Sequence, residues 1–410
     1  MPEGQCRLCS HTLSKTFIDL GKSPLCETFL TSKQLNEEER FYPLLTQVCE
    51  NCFLVQIAQF VTPQDIYFEY PYFSSFSKSW LEHASSYSKS VKTRFKLNNN
   101  SQVVEIASND GYLLRNFVNA NIPCLGIEPA QNVAKSAIEN GIPTLIKFFG
   151  VNTAQEVVND FGQADLLVGN NVLAHVPDLI DFIAGMKILL KPYGVITMEF
   201  PHLMRLMEDS QFDTIYHEHF SYFSFLTAQR AFAEHGLTIF DVEELHTHGG
   251  SLRIFAKHQE YLELAVTPAV NQLLDKEIKF GLNQLKTYLH FEKQSCETKY
   301  TLLDFLISAK RAGKIVVGYG APGKGNTLLN YCGIRKDLLE YTVDLNPLKQ
   351  GKFTPGTHIP IHAPEHIFAT RPDYVLILPW NLAEEISQQM TGIREWGGQF
   401  VVPIPAVRIF

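Results

Sequence analysis

The chain is short of positive charge, of long apolar runs and of any basic leader. Lysine and arginine number 35 against 43 aspartates and glutamates, a formal net charge of −8. A general nucleic-acid binder needs excess cations to displace counterions from phosphates, so no nucleic-acid partner is expected. A local basic pocket for one phosphorylated metabolite stays compatible. No run of about twenty apolar residues occurs, so no membrane partner is expected. The start, MPEGQCRLCS, carries no basic region followed by an apolar stretch, and a cytoplasmic protein is the expectation. Thiols stay reduced there, so paired cysteines point to metal more than to disulfides.

Hydrophobic residues make up 45% and charged residues 19% of the 410, which is enough apolar material for packed cores. At roughly 100–200 residues per domain the length suggests two to four domains. Four of the eight cysteines form two C-x-x-C pairs, Cys6 with Cys9 and Cys49 with Cys52. Each pair can turn both thiolates toward one ion, and together they offer a tetrahedral, structural Zn2+ site. Four thiolates leave no open position, which disfavours a catalytic ion. Four unligated thiols would leave a segment of roughly 65 residues poor in core. Cys26, between the pairs, is a candidate substitute ligand, whereas Cys124, Cys296 and Cys332 read as ordinary buried thiols.

From residue 103 onward short apolar runs alternate with helical segments. Strands are expected at 103–107, 123–127, 144–147, 165–168 and 195–199, with 191–194 as a turn. That alternation implies a parallel sheet covered on both faces. Residues 266–311 read as a connector helix or helix pair, and a second, smaller α/β unit begins at 314. In open α/β sheets ligands bind beyond the carboxyl ends of the strands. The first such turn, Ser108-Asn109-Asp110-Gly111, offers few amides for a pyrophosphate, and Gly111 lets the backbone pass close to a ligand. Glu128 ends the next strand, where a carboxylate can accept two ribose hydroxyls, and Asn170-Asn171 ends a later one. A nucleoside without phosphates, S-adenosylmethionine, fits that set better than NAD. An acid that merely caps a strand is the plain alternative.

The second turn, G-Y-G-A-P-G-K-G-N-T, contains G-x-G-x-x-G at Gly318, Gly320 and Gly323 after a strand and before a helix, with Asp344 about twenty residues on. It is also one residue short of a phosphate-binding loop, because Gly325 stands where Ser or Thr would hold Mg2+. Both patterns place backbone amides and Lys324 opposite an anion. In D-T-I-Y-H-E-H-F-S, Tyr216, His217, Glu218 and His219 put four functional groups in a row. An extended backbone would put Tyr216 and Glu218 on one face and both histidines on the other. General-base chemistry suits an imidazole next to a carboxylate. A zinc hydrolase lacks an evident third ligand, and buried structural histidines are the bland alternative.

In this order the segments resemble the sugar C-methyltransferases acting on nucleotide-linked 4-keto-deoxysugars. The resemblance rests on C-R-L-C, C-E-N-C, P-Y-F-S-S-F-S, E-I-A-S-N-D-G, G-I-E-P, N-V-L-A-H-V-P-D, Y-H-E-H-F-S-Y-F-S, H-G-G-S-L-R and G-Y-G-A-P-G-K-G-N-T, and it spans nearly the whole chain. It implies an α/β protein of three parts: a zinc-binding domain (1–66), a Rossmann-like class I methyltransferase domain (67–290) and a smaller Rossmann-like domain (291–410). It implies S-adenosylmethionine as donor, facing Glu105, Ala107, Asn109, Asp110, Gly111, Glu128, Asn170 and Asn171. The acceptor would be a nucleotide-sugar, a TDP-linked 4-keto-deoxyhexose, lying between the last two lobes on Arg253, Gly320, Gly323, Lys324, Asn326, Thr327 and Asp344. His219 would be the base, with Tyr216, Glu218, His175 and Tyr70 around the sugar. A monomer or weak oligomer is expected. Cys26, Phe73 and Phe76 depart from the family pattern and bear on the sugar's identity.

Overall fold

A computed structural model describes residues 4–64 and 73–410, so Tyr70 lies outside the described residues. Three sheets organise the chain. The first contains β1 (Lys15–Ser23), β2 (Tyr42–Val48) and β3 (Val55–Ile57). Leu44, Thr46 and Val48 alternate inward along β2, the period of a half-buried strand. All its pairs are antiparallel, and its fourth strand comes from far along the chain.

The second sheet uses β4 (Val103–Ile106), β5 (Cys124–Ile127), β6 (Thr144–Leu145), β7 (Ala164–Asn170) and β8 (Leu190–Pro201). After β9 (Ser221–Tyr222) it is completed by β10 (Leu237–Leu245) and β11 (Ser251–His258). Its order is β10-β11-β8-β7-β4-β5-β6. β4 and β5 are buried at every position, as strands covered on both faces must be. The sheet is not wholly parallel: β11 runs antiparallel to both β8 and β10. A turn of five residues joins β10 to β11, too short for the crossover a parallel pair needs. The expected turn at 191–194 is carried inside β8 as an irregularity, where pairing jumps from Ala164↔Leu190 to Leu166↔Val195.

β9 is the missing fourth strand of the first sheet, pairing Tyr222 with Val55 and Ser221 with Gln56. It follows the Tyr-His-Glu-His segment directly, so the N-terminal lobe grips that segment. The cysteine knuckles pack into the same apolar cluster as Phe225, Ala228 and Phe232 of helix Phe225–Ala233. Residues 268–311 form three helices, Pro268–Phe280, Leu285–Leu289 and Phe291–Arg311, the first closed by left-handed Gly281.

The third sheet contains β12 (Val316–Tyr319), β13 (Thr342–Val343), β14 (Ile361–His362), β15 (Tyr374–Ile377), β16 (Gln399–Val402) and β17 (Arg408–Ile409), in the order β14-β13-β12-β15-β16-β17. Only β17 is antiparallel among these pairs. β4 lies between β5 and β7, and β12 between β13 and β15. Each is therefore the strand where the order reverses, and each is followed by one of the two glycine-bearing turns.

Candidate active site

A cavity of about 380 Å³ lies beyond the carboxyl ends of β4, β5 and β7. Every lobe contributes to its wall: Ala107, Asn109, Glu128, Asn170 and Asn171 from the central sheet, Cys26 and Glu27 from the N-terminal lobe, Gly323, Lys324 and Lys349 from the C-terminal one. His175, Tyr216, Glu218 and His219 face it together.

The first turn is tightly wound, with φ of 56° at Ala107, 49° at Asn109 and 77° at Gly111. Gly111 is required by packing, since a Cβ there would sit 2.7 Å from Ile142 Cγ1. Glu128 ties two turns together: Asn109 N donates to its Oε2 (2.9 Å) and Ala130 N to its Oε1 (2.8 Å). Each oxygen keeps a lone pair for a further donor. Burial pushes this carboxyl up to about 7. The Oδ1 atoms of Asn170, Asn171 and Asp110 are buried without partners. Asp110 Oδ2 accepts from Ser75 N (3.2 Å) and from the Ser75 hydroxyl. Asp110, Glu105 and Gly111 stand behind the wall and do not line the cavity. Glu105 is fully enclosed in β4, and burial with Glu128 and Asp110 nearby pushes its carboxyl well above the ordinary range.

The Tyr-His-Glu-His segment is a turn, not a strand: His219 N donates to Tyr216 O at 2.9 Å. The turn keeps Tyr216 and Glu218 on one side, as an extended chain would, but brings His219 to join them and separates it from His217. Tyr216 and His219 lie ring against ring, 4.0 Å between centroids with their planes tilted by 33°. His217 leaves for the N-terminal lobe, where Nε2 bonds Pro43 O (3.1 Å) and the ring meets Tyr42 edge-on. Thr214 O accepts from His219 Nδ1 at 2.9 Å. A carbonyl can only accept, so the proton sits on Nδ1 and Nε2 carries the lone pair. His175 stands edge-on to His219 at 4.6 Å. Burial lowers His175 to about 4 and His219 well below its ordinary value, so both imidazoles are neutral. Burial also keeps the Tyr216 phenol protonated, and burial with Glu27 raises Glu218 to about 8. At neutral pH the group sets two lone-pair imidazole nitrogens, one on each histidine, beside the proton donors Tyr216 and Glu218. Arg7 fixes it from outside, donating to Phe220 O (2.8 Å) and Ile57 O (2.5 Å), while Phe220 N reaches Ala174 O (2.7 Å).

The second turn differs. Gly320 has φ 87°, and a Cβ there would strike Pro379 Cδ at 2.6 Å. Asp344, expected at a substrate, accepts from Ala321 N (2.7 Å) and Asn346 N (2.8 Å) and holds the turn's shape. Asn326 Nδ2 donates to Cys26 O (2.6 Å) and Thr327 Oγ1 to Ile215 O (3.2 Å). None of Gly320, Asn326, Thr327 and Asp344 lines the cavity, whereas Gly323 and Lys324 do. An anion does face the N-terminus of helix Gly323–Cys332, but it is the chain's own Glu27, bonded to the Gly323 amide and paired with Lys349 Nζ at 3.3 Å. Lys324 Nζ bonds Asn381 Oδ1 (2.8 Å) over the Trp380 ring (4.8 Å). Arg253, also expected at substrate, lies in β11 away from the cavity. Its guanidinium pairs with Glu199 (2.6 Å) and Glu243 (3.1 Å) over the Tyr87 ring.

Cys6, Cys9, Cys49 and Cys52 converge, with their four Sγ atoms within 4.8 Å of one another. The Cys6–Cys52 and Cys9–Cys49 sulfurs are 3.4 and 3.5 Å apart. Tetrahedral arms of ~2.3 Å give edges of ~3.8 Å, so the donor set fits a Zn2+ ion. Both knuckles close alike, Ser10 N on Cys6 O and Phe53 N on Cys49 O, each with a left-handed residue at the turn. Among the described residues no other group of three or more His, Cys, Asp or Glu converges this way. Cys26 is no substitute ligand: its thiol is in the cavity wall, 3.8 Å from Glu218 Oε1. Cys124 and Cys332 are buried, and Cys296 is half-buried against the Tyr331 hydroxyl. Glu27 and Lys349 were not anticipated, since neither stands in a motif and only the folded chain brings them together.

Family models match in sequence: a zinc binding domain at residues 6–67, a methyltransferase domain at 80–242 and a C-methyltransferase C-terminal domain at 246–405. The last begins before β11, so its range crosses from the second sheet into the third. C-methyltransferase NovU of Streptomyces niveus is 35% identical over 408 residues, covering 100% of this chain and 97% of its own. Among solved structures, the PH0226 protein of Pyrococcus horikoshii OT3 aligns at 12% identity and a TM-score of 0.37, covering 48% of this chain and 96% of its own. Magnesium protoporphyrin IX methyltransferase of Synechocystis PCC 6803, with bound SAM, aligns at 13% and 0.34, covering 43% and 79%.

Proposed function

The chain belongs to the C-methyltransferase family, and on that premise we propose that it methylates C3 of a nucleotide-linked 4-keto-deoxysugar through an enolate. Its central lobe has the Rossmann-like class I methyltransferase fold, preceded by a zinc-binding region and followed by a smaller α/β lobe. Bound S-adenosylmethionine supplies an electrophilic methyl group. The residues present suit it: Glu128 for ribose hydroxyls, and the unpartnered amide oxygens of Asn170 and Asn171 for a cationic donor group.

Carbon is a poor nucleophile until a neighbouring carbonyl acidifies its proton. The observation that carries the proposal is the tautomer of His219. Its Nδ1–H is held by Thr214 O, which aims a lone pair on Nε2 at the acceptor. His219 takes the C3 proton. Tyr216 and Glu218, both protonated at neutral pH, donate to the C4 oxygen as negative charge grows there. Lys324 and Lys349 give the cavity its cations on the C-terminal side, where the phosphates of a nucleotide-sugar would lie.

Incubation with TDP-4-keto-deoxyhexoses and labelled donor, read by mass spectrometry and NMR, tests the proposal. The expected product carries the label on C3. Label on oxygen, nitrogen or C5 assigns a different regiochemistry. A NAD-dependent oxidoreductase at Gly318–Gly323 is the rival, and there the ligand would have to displace Glu27 from the Gly323 amide. Tight NAD binding by calorimetry, with no response to S-adenosylmethionine or TDP, would favour that rival.

A further inference from the structure

Eleven non-glycine residues among those described have a positive φ, and four of them line this one cavity: Ala107, Asn109, Asn171 and His248. Left-handed backbone is disfavoured for a residue with a β-carbon, and it persists where the surroundings impose it, often at functional sites. The first three lie at the strand ends facing the donor. His248 (φ 55°, ψ 22°) has no part in the reaction as derived so far. Glycines follow it at 249 and 250, yet an imidazole stands at the strained position.

Its placement is specific. β10 runs antiparallel to β11 and β11 antiparallel to β8, so β10 is parallel to β8 and the β10–β11 turn overhangs the carboxyl edge. From β5, which Glu128 directly follows, to β11 is four strand spacings, about 19 Å at ~4.8 Å each. His248 therefore stands on the opposite side of the cavity from the donor's ribose. The C-terminal lobe arrives at the same place, with Trp380 so close to Gly249 that a Cβ would fall 2.5 Å from its ring. The His248 ring meets Trp80 edge-on at 5.1 Å, and its Nδ1 is buried without a partner. His219 and His175 each already bond a backbone carbonyl through one ring nitrogen. Burial and the Lys324 charge hold His248 neutral, at about 4. A neutral imidazole can donate from one nitrogen and accept at the other, which suits a hydroxyl or carbonyl oxygen.

The geometry points to His248 as a residue that touches the acceptor, hydrogen-bonding a sugar oxygen so that the reacting carbon is set against His219. This rests on the function proposed above. The test compares wild type with H248N and H248G, both compatible with left-handed backbone. Acceptor kcat and KM, the S-adenosylmethionine Kd and the Tm are measured for each. Acceptor kcat/KM is expected to fall roughly 10–100-fold in both variants. The donor Kd should stay within about twofold, and the Tm of H248G should not fall, because the backbone strain is released. A merely structural role would lower the Tm instead. Acceptor constants within about twofold of wild type in both variants overturn the inference. So does a raised donor Kd with unmoved acceptor constants, which would give His248 to the donor. A wild type that methylates no nucleotide-sugar overturns the function itself, and the inference falls with it. An active wild type with indifferent variants overturns His248 alone.

Discussion

The two glycine-bearing turns stand at equivalent points of their sheets, yet they have opposite contents. After β12 the helix N-terminus already faces the Glu27 carboxylate, and Asp344 already accepts from the turn amide of Ala321. Beyond β4 and β7, buried acceptor oxygens on Asp110, Asn170 and Asn171 have no partner, against one, Asn326 Oδ1, in the second glycine segment. The richer glycine pattern belongs to the filled turn. A Cβ at Gly318, Gly320, Gly323 or Gly325 would come within 3.0 Å of a neighbouring side chain, so that spacing records close packing. Gly111 of the other turn meets Ile142 in the same way. In this molecule glycine spacing locates the turns, and the larger share of unmet hydrogen-bonding capacity lies beside the first of them.

The largest expected effect tests whether the chemistry sits beside the unfilled turn. Changing His219→Asn should lower methyl transfer by about 10²–10⁴-fold while calorimetry finds S-adenosylmethionine binding nearly unchanged. Turnover close to wild type would remove His219 as the base. Next comes the lobe that supplies the filler. Cys49→Ser, or chelation at the four thiolates, should lower the Tm by roughly 10 °C or more and abolish turnover, since a structural Zn2+ site carries folding free energy. Arg7 would then lose its hold on Phe220 O, next to His219. Retention of full activity after complete metal removal would break that link.

The comparison itself is sharpened by a paired change. Glu128→Gln should raise the donor Kd roughly 3–30-fold, whereas Asp344→Asn should leave it unmoved and cost about 1–3 kcal/mol of stability in urea titration. Equal effects on donor binding would erase the distinction between the turns. The smallest effect is on pH. Folded Glu128 and Glu218 keep their protons up to about 7 and about 8, while an unfolded carboxyl releases its proton near 4.5. The folded state binds more protons in that window, so stability falls as pH rises through it. His175 and His248, lowered to about 4 from 6.5, act oppositely, and stability falls as pH drops from 6.5 toward 4. The two effects oppose each other between about 4.5 and 6.5, so the Tm of the ligand-free chain should fall from about pH 6.5 to about 8, and Glu218→Gln should flatten that fall.

Features written in a few adjacent residues were legible. The cysteine knuckles, the strand-end Glu128 and the α/β alternation all depend on short-range spacing, and they appear as read. Features set by distant partners were not. Alternation along an extended chain put both histidines on one face, but β9 docking on β3 bends the segment into a turn and separates them. Arg253 looked available until Glu199, 54 residues earlier but directly opposite it on the adjacent strand β8, took its charge. Cys26, Glu27 and Lys349 meet only because the first and last lobes close over the same cavity. The β10–β11 pair was hidden because its strands lie beside helical segments with no hairpin signature of Asn-Gly or Asp-Gly between them.

The pairing of Val55 with Tyr222 also orders events during synthesis. When the ribosome has released the first three strands, the open edge of β3 has nothing to pair with until residue 222 emerges. The N-terminal lobe therefore completes its sheet in the same step that seats the imidazole at 219. A fragment ending before that point would carry a bare edge prone to association, and the metal lobe is not a module that can be cut away and studied as a faithful copy of itself.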